Sequence, residues 1–332
     1  MTDDARQRAR QTKAVGRRRR AILPWLAVWA LGACFTTGGC GNYSNEDLEF
    51  MNAIPLRADL AVEVPRQSSL TTTAAAEGWQ RTFKVTRDLN MVADAFLSLI
   101  DKIRAYYPTA RDGNTRIWGP FPAEKNPGWQ IEFRMSKSVT ATPQFDYELV
   151  VIPPPLGGPG SAGPALQVIG GRFDATGGVR VGTGHLVLTL DDARAAGFVF
   201  QGLEMLSGLT IDYQTGTWPR NISMAFANVA PASQATDAVS GTYIYTGQEN
   251  GDGAMSFSWV QDVVPGPAGN DTILIESRWL ATGHGREDLA IVAGDGMGNT
   301  GVECWDRGVV STNKSQTWAS TVGDESTCIP RQ

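Results

Sequence analysis

From about Thr115 onward, apolar and polar residues alternate in runs of strand length separated by turn residues, and this constrains the fold more than any other feature of the chain. Successive side chains of a strand point to opposite faces, so such a pattern builds a sheet with one buried and one wetted surface. Trp129, Ile131, Phe133 and Met135 fall on one side. So do Phe145, Tyr147, Leu149 and Val151; Leu209, Ile211 and Tyr213; Ile222, Met224 and Phe226; and Met255, Phe257 and Trp259. Glu132, Arg134, Asp146, Glu148, Asp212 and Ser258 face the other way. Segments 218–221 and 250–253 read as hairpin turns, and 153–164 as a Pro/Gly loop. The expected fold is mainly β (α+β): a single curved antiparallel sheet or incomplete barrel of roughly ten to twelve strands, with an amphipathic helix packed on it.

That helix is expected over Arg87–Ala105. Leu89, Val92, Phe96, Leu99, Ile100 and Ile103 share a face, Asp88, Asp94, Asp101, Lys102 and Arg104 lie largely opposite, and Pro108 follows its end. A shorter helix is expected after Ser44-Asn45-Glu46-Asp47, a capping-box pattern, with Leu48, Met51 and Ile54 at helical spacing before Pro55. Between the two, residues 66–78 are rich in Ser, Thr and Ala and read as a tether or loop. Arg172-Phe173-Asp174-Ala175-Thr176-Gly177 echoes Arg278-Trp279-Leu280-Ala281-Thr282-Gly283, as two hairpins of one sheet with a shared local solution would.

The N-terminal region has a different logic. Arg17–Arg20 precede the apolar run Ala21–Ala33, which is shorter than the ~20 residues that a spanning helix needs and ends near small residues and cysteines, as in a cleaved export signal of the lipoprotein type. Arg19-Arg20-Ala21-Ile22-Leu23 also matches part of the twin-arginine export pattern. Leu31-Gly32-Ala33-Cys34 fits the lipidation pattern in its Leu. Thr37-Gly38-Gly39-Cys40 fits it in cysteine arithmetic, because cleavage before Cys40 leaves Cys304 and Cys328 as an even pair for a disulfide. Cys40 is the expected lipidation site and Cys34 the alternative. The expected organisation is a signal over 1–39, an anchored short helix and tether over 40–78, and a helix-plus-sheet domain over 79–332. A cell-envelope location follows from the signal.

At 42% hydrophobic and 19% charged, the chain has the composition of a folded protein. Its net charge of −5 understates its acidity: residues 1–39 hold 8 of the 29 Lys and Arg but 2 of the 34 Asp and Glu, which leaves 21 basic against 32 acidic residues. That remainder disfavours nucleic acid and general attraction to anionic lipid, so the expected membrane partner is reached through the lipid anchor.

Catalytic motifs fail on context. Gly296-Met297-Gly298-Asn299-Thr300-Gly301 matches G-x-G-x-x-G but lies between strand-like segments, and Asp295 beside it lacks the spaced oxygen ligands of a calcium loop. Ser311-Thr312-Asn313-Lys314 matches S-x-x-K without its companion motifs. His185 and His284 sit in Gly-rich turns, with Glu287 and Asp288 near His284 but no metal-ligand spacing. No catalytic residue, cofactor or metal is expected, although a carboxylate pair needs no sequence spacing and stays open. Of eight Trp after the signal, Trp129 and Trp259 read as core, and Trp218 and Trp318 as surface candidates.

The residues Cys40-Gly41-Asn42-Tyr43-Ser44-Asn45-Glu46-Asp47-Leu48-Glu49-Phe50, with Arg278–Gly283 and Glu303-Cys304-Trp305-Asp306, resemble a group of uncharacterised bacterial outer-membrane lipoproteins. The resemblance implies a lipid-anchored envelope protein and carries no catalytic residue. In pattern alone, anchor, long helix and curved sheet are similar to the half-barrels of lipoprotein carriers and receptors. Three functions follow as expectations. The first is a non-catalytic module binding an unknown protein, glycan or assembly partner. The second is a carrier of a hydrophobic ligand such as lipid or lipoprotein, with Phe96, Leu99 and Ile103 lining its cavity. The third is a hydrolase with a nonstandard carboxylate site. An apolar cavity of several hundred Å3 would favour the second, and a cleft with close, buried acids the third.

Overall fold

The computed structural model describes residues 43–65, 75–138, 140–155, 163–200, 206–227, 241–264 and 269–331. The export signal, Cys34 and Cys40 lie outside the described residues. Residues 43–332 belong to one compact unit.

Three helices come first: α1 (Asn45–Asn52), α2 (Arg57–Leu60) and α3 (Glu77–Arg104). Six strands follow: β1 (Ala110–Asp112), β2 (Thr115–Pro122), β3 (Gln130–Ser138), β4 (Gln144–Ile152), β5 (Leu166–Asp174) and β6 (Gly182–Thr189). After the short α4 (Asp191–Ala195) come β7 (Gly208–Thr215), β8 (Arg220–Ala227), β9 (Gly241–Gly247), β10 (Gly253–Gln261) and β11 (Asp271–Trp279). The last strands are β12 (Gly285–Ala293), β13 (Thr300–Trp305), β14 (Ser311–Gln316) and β15 (Ala319–Gly323). All fifteen form one antiparallel sheet in chain order, each pairing with its sequence neighbours, and the sheet does not close. The strand count exceeds the ten to twelve expected because short pieces such as β1 and β15, three and five residues long, are too brief to show alternation.

One continuous apolar core joins Val85, Leu89, Phe96 and Ile100 of α3 to inward residues of strands from β2 to β12, so the sheet wraps around the helix. The alternation holds in each strand read from sequence: Phe133, Met135, Phe145, Tyr147, Ile211, Met224 and Phe257 are all buried. Outward residues instead form exposed or half-exposed pairs, Arg134 with Glu132 and Glu148, Arg172 with Asp146, and His185 with Asp212. The tight curvature has a recurring device. Tyr147, Tyr213, Trp279 and Trp305 each stand opposite a glycine of the adjacent strand, Gly171, Gly184, Gly253 and Gly285. A Cβ there would lie 2.0–2.6 Å from the ring, so only glycine lets the aromatic lie down on the neighbouring backbone. The echoed sequences share a register, with Phe173 opposite Gly184 and Trp279 opposite Gly285, the two glycines being those covered by Tyr213 and Trp305.

α1 begins with the expected capping box of Ser44 and Asp47. It is docked by Asp47, which is buried and bonded by Arg116 Nε at 2.6 Å and Arg111 Nε at 3.0 Å. Burial pushes the Asp47 carboxyl up, but bonds from Arg111, the Ser44 backbone and Arg116 outweigh it and bring it down to about 2.

α3 starts ten residues before the expected Arg87. Its N-cap is Ala76, which offers no side-chain acceptor, so sequence carries no local start signal. The acceptor comes from across the fold: Glu303 on β13 takes the Glu77 N–H at 3.2 Å and the Gly78 N–H at 2.7 Å. A carboxylate is well placed there, against the positive end of the helix dipole. On the far face of β12–β14, Cys304 and Cys328 are joined (Sγ–Sγ 1.96 Å, Cα–Cα 5.4 Å), and Arg331 and Arg286 both bond Asp288. The C-terminal segment thus covers the outer side of these strands, which is why the outward-phase Cys304 and Arg286 are buried.

Candidate functional site

Two places bring chemistry-bearing residues together, one at each end of α3. At its start, Arg81 Nε donates to Glu287 Oε1 at 3.1 Å, the Thr82 and Ser277 hydroxyls meet at 2.5 Å, and Lys314 reaches Glu77 at 2.8 Å. Glu287 stands directly opposite Glu303 in the β12–β13 pair, and both are almost fully buried. Burial raises the Glu287 carboxyl above its ordinary value, Arg81 works against this, and the charges of Glu303 and Glu77 add to the rise. This is the close, buried acid pair that a nonstandard hydrolase would use, but both Glu303 oxygens and Glu287 Oε1 are committed, and Glu287 Oε2, though without a described partner, is buried away from any described cleft. Glu303 caps the helix, Glu287 holds Arg81, and neither lines the nearby 220 Å3 cleft of Gln261, Lys314 and Trp318. The cluster pins α3 to the sheet.

At the other end of α3 is an apolar cleft of about 580 Å3, bounded by the helix, by β2, β3, β5 and β6, and by Phe198–Phe200 after α4. Its floor is buried and wholly apolar: Phe96 and Ile103 from α3, Val168 and Ile169 from β5, Leu188 from β6, and Phe198. Its rim is exposed and mixed, with Ser98, Lys102, Tyr106, Glu124, Lys125 and Val199. Two strands break register here. Val168 is the extra residue of a bulge in the β4–β5 pair, so Val168 and Ile169 are both turned to the cleft wall. In β2 the register shifts between Trp118 and Phe121 around Gly119, whose φ of 111° excludes ordinary side chains and whose missing Cβ would sit 2.7 Å from the Ile131 carbonyl.

The Phe198–Phe200 wall is held by Asn126. This buried amide donates to the Val199 carbonyl at 3.2 Å and accepts from the Val199 N–H at 2.7 Å, so the segment is bracketed like a strand neighbour. Phe198 packs edge-on against Trp129 at 5.3 Å and against Phe200 at 4.9 Å. The helix side of the cleft was legible in sequence: Phe96, Leu99 and Ile103 all line it. The Phe198-Val199-Phe200 wall and Asn126 were not. Two Phe flanking an exposed Val outside any strand, and an Asn inside the loop before Trp129, were the available signals.

The remaining sequence candidates are dispersed. The 296–301 glycine run covers most of the β12–β13 hairpin loop and the first two residues of β13, and its Gly296 N–H donates to the buried Asp271 at 2.8 Å. Ser311 and Lys314 lie three apart on β14, and Lys314 is paired with Glu77. Among the described residues the His284 ring meets the Thr282 hydroxyl, at 3.1 Å, while Glu287 faces Arg81 and Asp288 faces Arg286 and Arg331 on the other side of β12. Among the described residues no group of three or more His, Cys, Asp or Glu is placed to hold a metal ion, and no described helix is long and apolar enough to cross a membrane. Trp129 and Trp259 are buried. Trp218 is exposed with Arg220 over its ring at 4.9 Å, and Trp318 packs partly against the core. Compared with protein-family models, curated proteins and solved structures, the chain matches none.

Proposed function

We propose that this protein is a lipid-anchored protein of the bacterial cell envelope that holds a hydrophobic or amphipathic ligand in the cleft at the C-terminal end of α3. The cleft carries the proposal. Its volume lies within the range of small-molecule sites, and its apolar floor beneath a polar rim suits a molecule with an apolar body and a polar end. The anchor reading rests on the export signal and Cys40, with Cys34 as the alternative. A carrier is favoured over a hydrolase because the buried acids fix the helix and line no described cleft, and over a plain binding module because the apolar lining suits a ligand-sized apolar body.

The test is lipid extraction and mass spectrometry of the native full-length protein, paired with titration by cis-parinaric acid, which fluoresces on entering an apolar site. Wild type should bind the probe. Leu99→Asp, a change at a half-buried lining position, should lose it while the melting temperature changes little. Absence of both co-purifying amphiphile and probe binding would sink the reading.

A further inference from the structure

The position of Tyr43 orients the cleft. Its hydroxyl donates to the carbonyls of Arg104 and Tyr106 at 3.0 Å each, and its ring packs on Tyr107 at 4.4 Å. Tyr106 is itself on the cleft rim. Cys40 is three residues earlier, and three extended residues span at most about 11 Å. A lipid on Cys40 is therefore tethered within about 11 Å of the Tyr43 backbone, whose side chain is bonded to the α3 end that forms the cleft mouth. Lipidation at Cys34 would leave a reach of roughly 30 Å and no such restriction.

The surface at that mouth combines exposed aromatic and apolar side chains with two lysines. Tyr106, Tyr107 and Val199 are 56%, 43% and 56% exposed and lie at or beside the rim, an amphipathic set suited to the headgroup layer. Lys102 and Lys125 are exposed there, and neither is paired with another described residue. Complementing the negative end of the α3 dipole accounts for Lys102 but not for Lys125, which lies in the β2–β3 loop. Glu124 is the one acid on the rim, and Asp101 nearby is held by Arg104 at 3.5 Å. The acidic remainder of the chain opposes a charged membrane in general, so a short-range contact must come from this patch, within a Debye length of about 10 Å.

We infer that the cleft mouth, through Tyr106, Tyr107, Val199, Lys102 and Lys125, docks on the anionic bilayer that carries the Cys40 anchor, so that the cleft opens onto lipid. This rests on the anchored reading above. It gives an apolar ligand a path between membrane and cleft that avoids water.

The test uses the full-length, processed protein in phosphatidylglycerol/phosphatidylethanolamine vesicles and, separately, in phosphatidylcholine vesicles. Spin labels are placed at Val199→Cys and at Trp218→Cys, an exposed position at the opposite end of β7. On anionic vesicles the Val199 label should enter the lipid phase, with collision accessibility to oxygen over a water-soluble nickel reagent several-fold above that at Trp218. Lys102→Gln with Lys125→Gln should lower the docking constant by roughly thirtyfold, as expected for losing two lysine–headgroup attractions. Intact mass reports the anchor in the same sample. An acylated chain whose Val199 label stays in water, or enters neutral and anionic vesicles alike, overturns the docking alone. An unmodified Cys40 overturns the anchored reading and the docking with it.

Discussion

The two ends of α3 are held by opposite means. Its first turns are fixed by directional contacts to strands some two hundred residues away in sequence: Glu303 on the Glu77 and Gly78 N–H groups, Glu287 on Arg81, and Ser277 on Thr82. Gly78 lets the two backbones approach so closely that a Cβ would come within 2.9 Å of Glu287 Cβ. Its last turns rest on Phe96, Leu99 and Ile103 beside a cavity, with no described side-chain bond from Phe96–Ile103 to the sheet strands. Buried ion pairs and caps tolerate one geometry only, whereas an apolar face tolerates several. One helix thus combines a fixed foot with a permissive tip, and the ligand-sized space is at the tip.

The sharpest way to break this contrast is at the foot. Arg81→Met strands Glu287 in the core beside Glu303 and should cost about 3–5 kcal/mol in urea unfolding. A loss under about 1 kcal/mol would show the pin to be dispensable. A matched pair of truncations compares the packed middle of α3 with its tip. Leu89→Ala, buried between helix and sheet, should cost about 2–5 kcal/mol, and Leu99→Ala at the cleft about 1 or less while weakening parinaric acid binding. Equal costs would mean that the tip is as tightly packed as the middle of the helix. Behind the foot, Cys304→Ser with Cys328→Ser should destabilise by about 3 kcal/mol on the chain-entropy argument and make α3's first turns exchange amide hydrogens faster than its last. Uniform exchange along α3 would argue that the C-terminal segment does not support the cap.

The smallest effect concerns pH, because the two ends carry acids shifted in opposite directions. Asp47, bonded to Arg111 and Arg116 on the β1–β2 side of the cleft, has its carboxyl lowered from 3.8 to about 2. Its stabilising contribution, about 2 kcal/mol, should be complete above pH 4 and disappear as pH falls toward 2. Glu287, raised by burial, has the opposite sign: its contribution becomes less favourable as pH rises through its folded value. Asp47→Asn should flatten the acid limb of a stability–pH curve, and an unchanged limb would assign acid unfolding to other groups.

How far sequence reached follows from how local each cause is. Strand alternation needs only side chains two apart, so the strands through Phe133, Tyr147, Ile211, Met224 and Phe257 were legible, as was the α1 capping box. The start of α3 was not, because its cap is Glu303, 226 residues beyond Glu77. A trace of it existed. Glu287 is in phase with the inward Leu289 and Ile291, and Glu303 with the inward Trp305, so two acids on adjacent strands point where only apolar residues would otherwise go. The cleft was half legible for the same reason: helical spacing picked out Phe96, Leu99 and Ile103, whereas the Phe198 wall depends on a tertiary bracket from Asn126.

Strand order equal to chain order means that each new strand finds its partner already made, so the sheet can extend hairpin by hairpin as the polypeptide emerges. The helix does not share that schedule. It is synthesised before the sheet, yet the partner of its Arg81 arrives with β12 and the acceptor for its first N–H groups with β13, nearly at the end. Assembly is therefore progressive along the sheet and all-or-none at the helix. A chain truncated before β12 would retain much of its wall of strands around a helix left uncapped at its origin, and the last quarter of the polypeptide acts as the latch for its first helix-forming quarter.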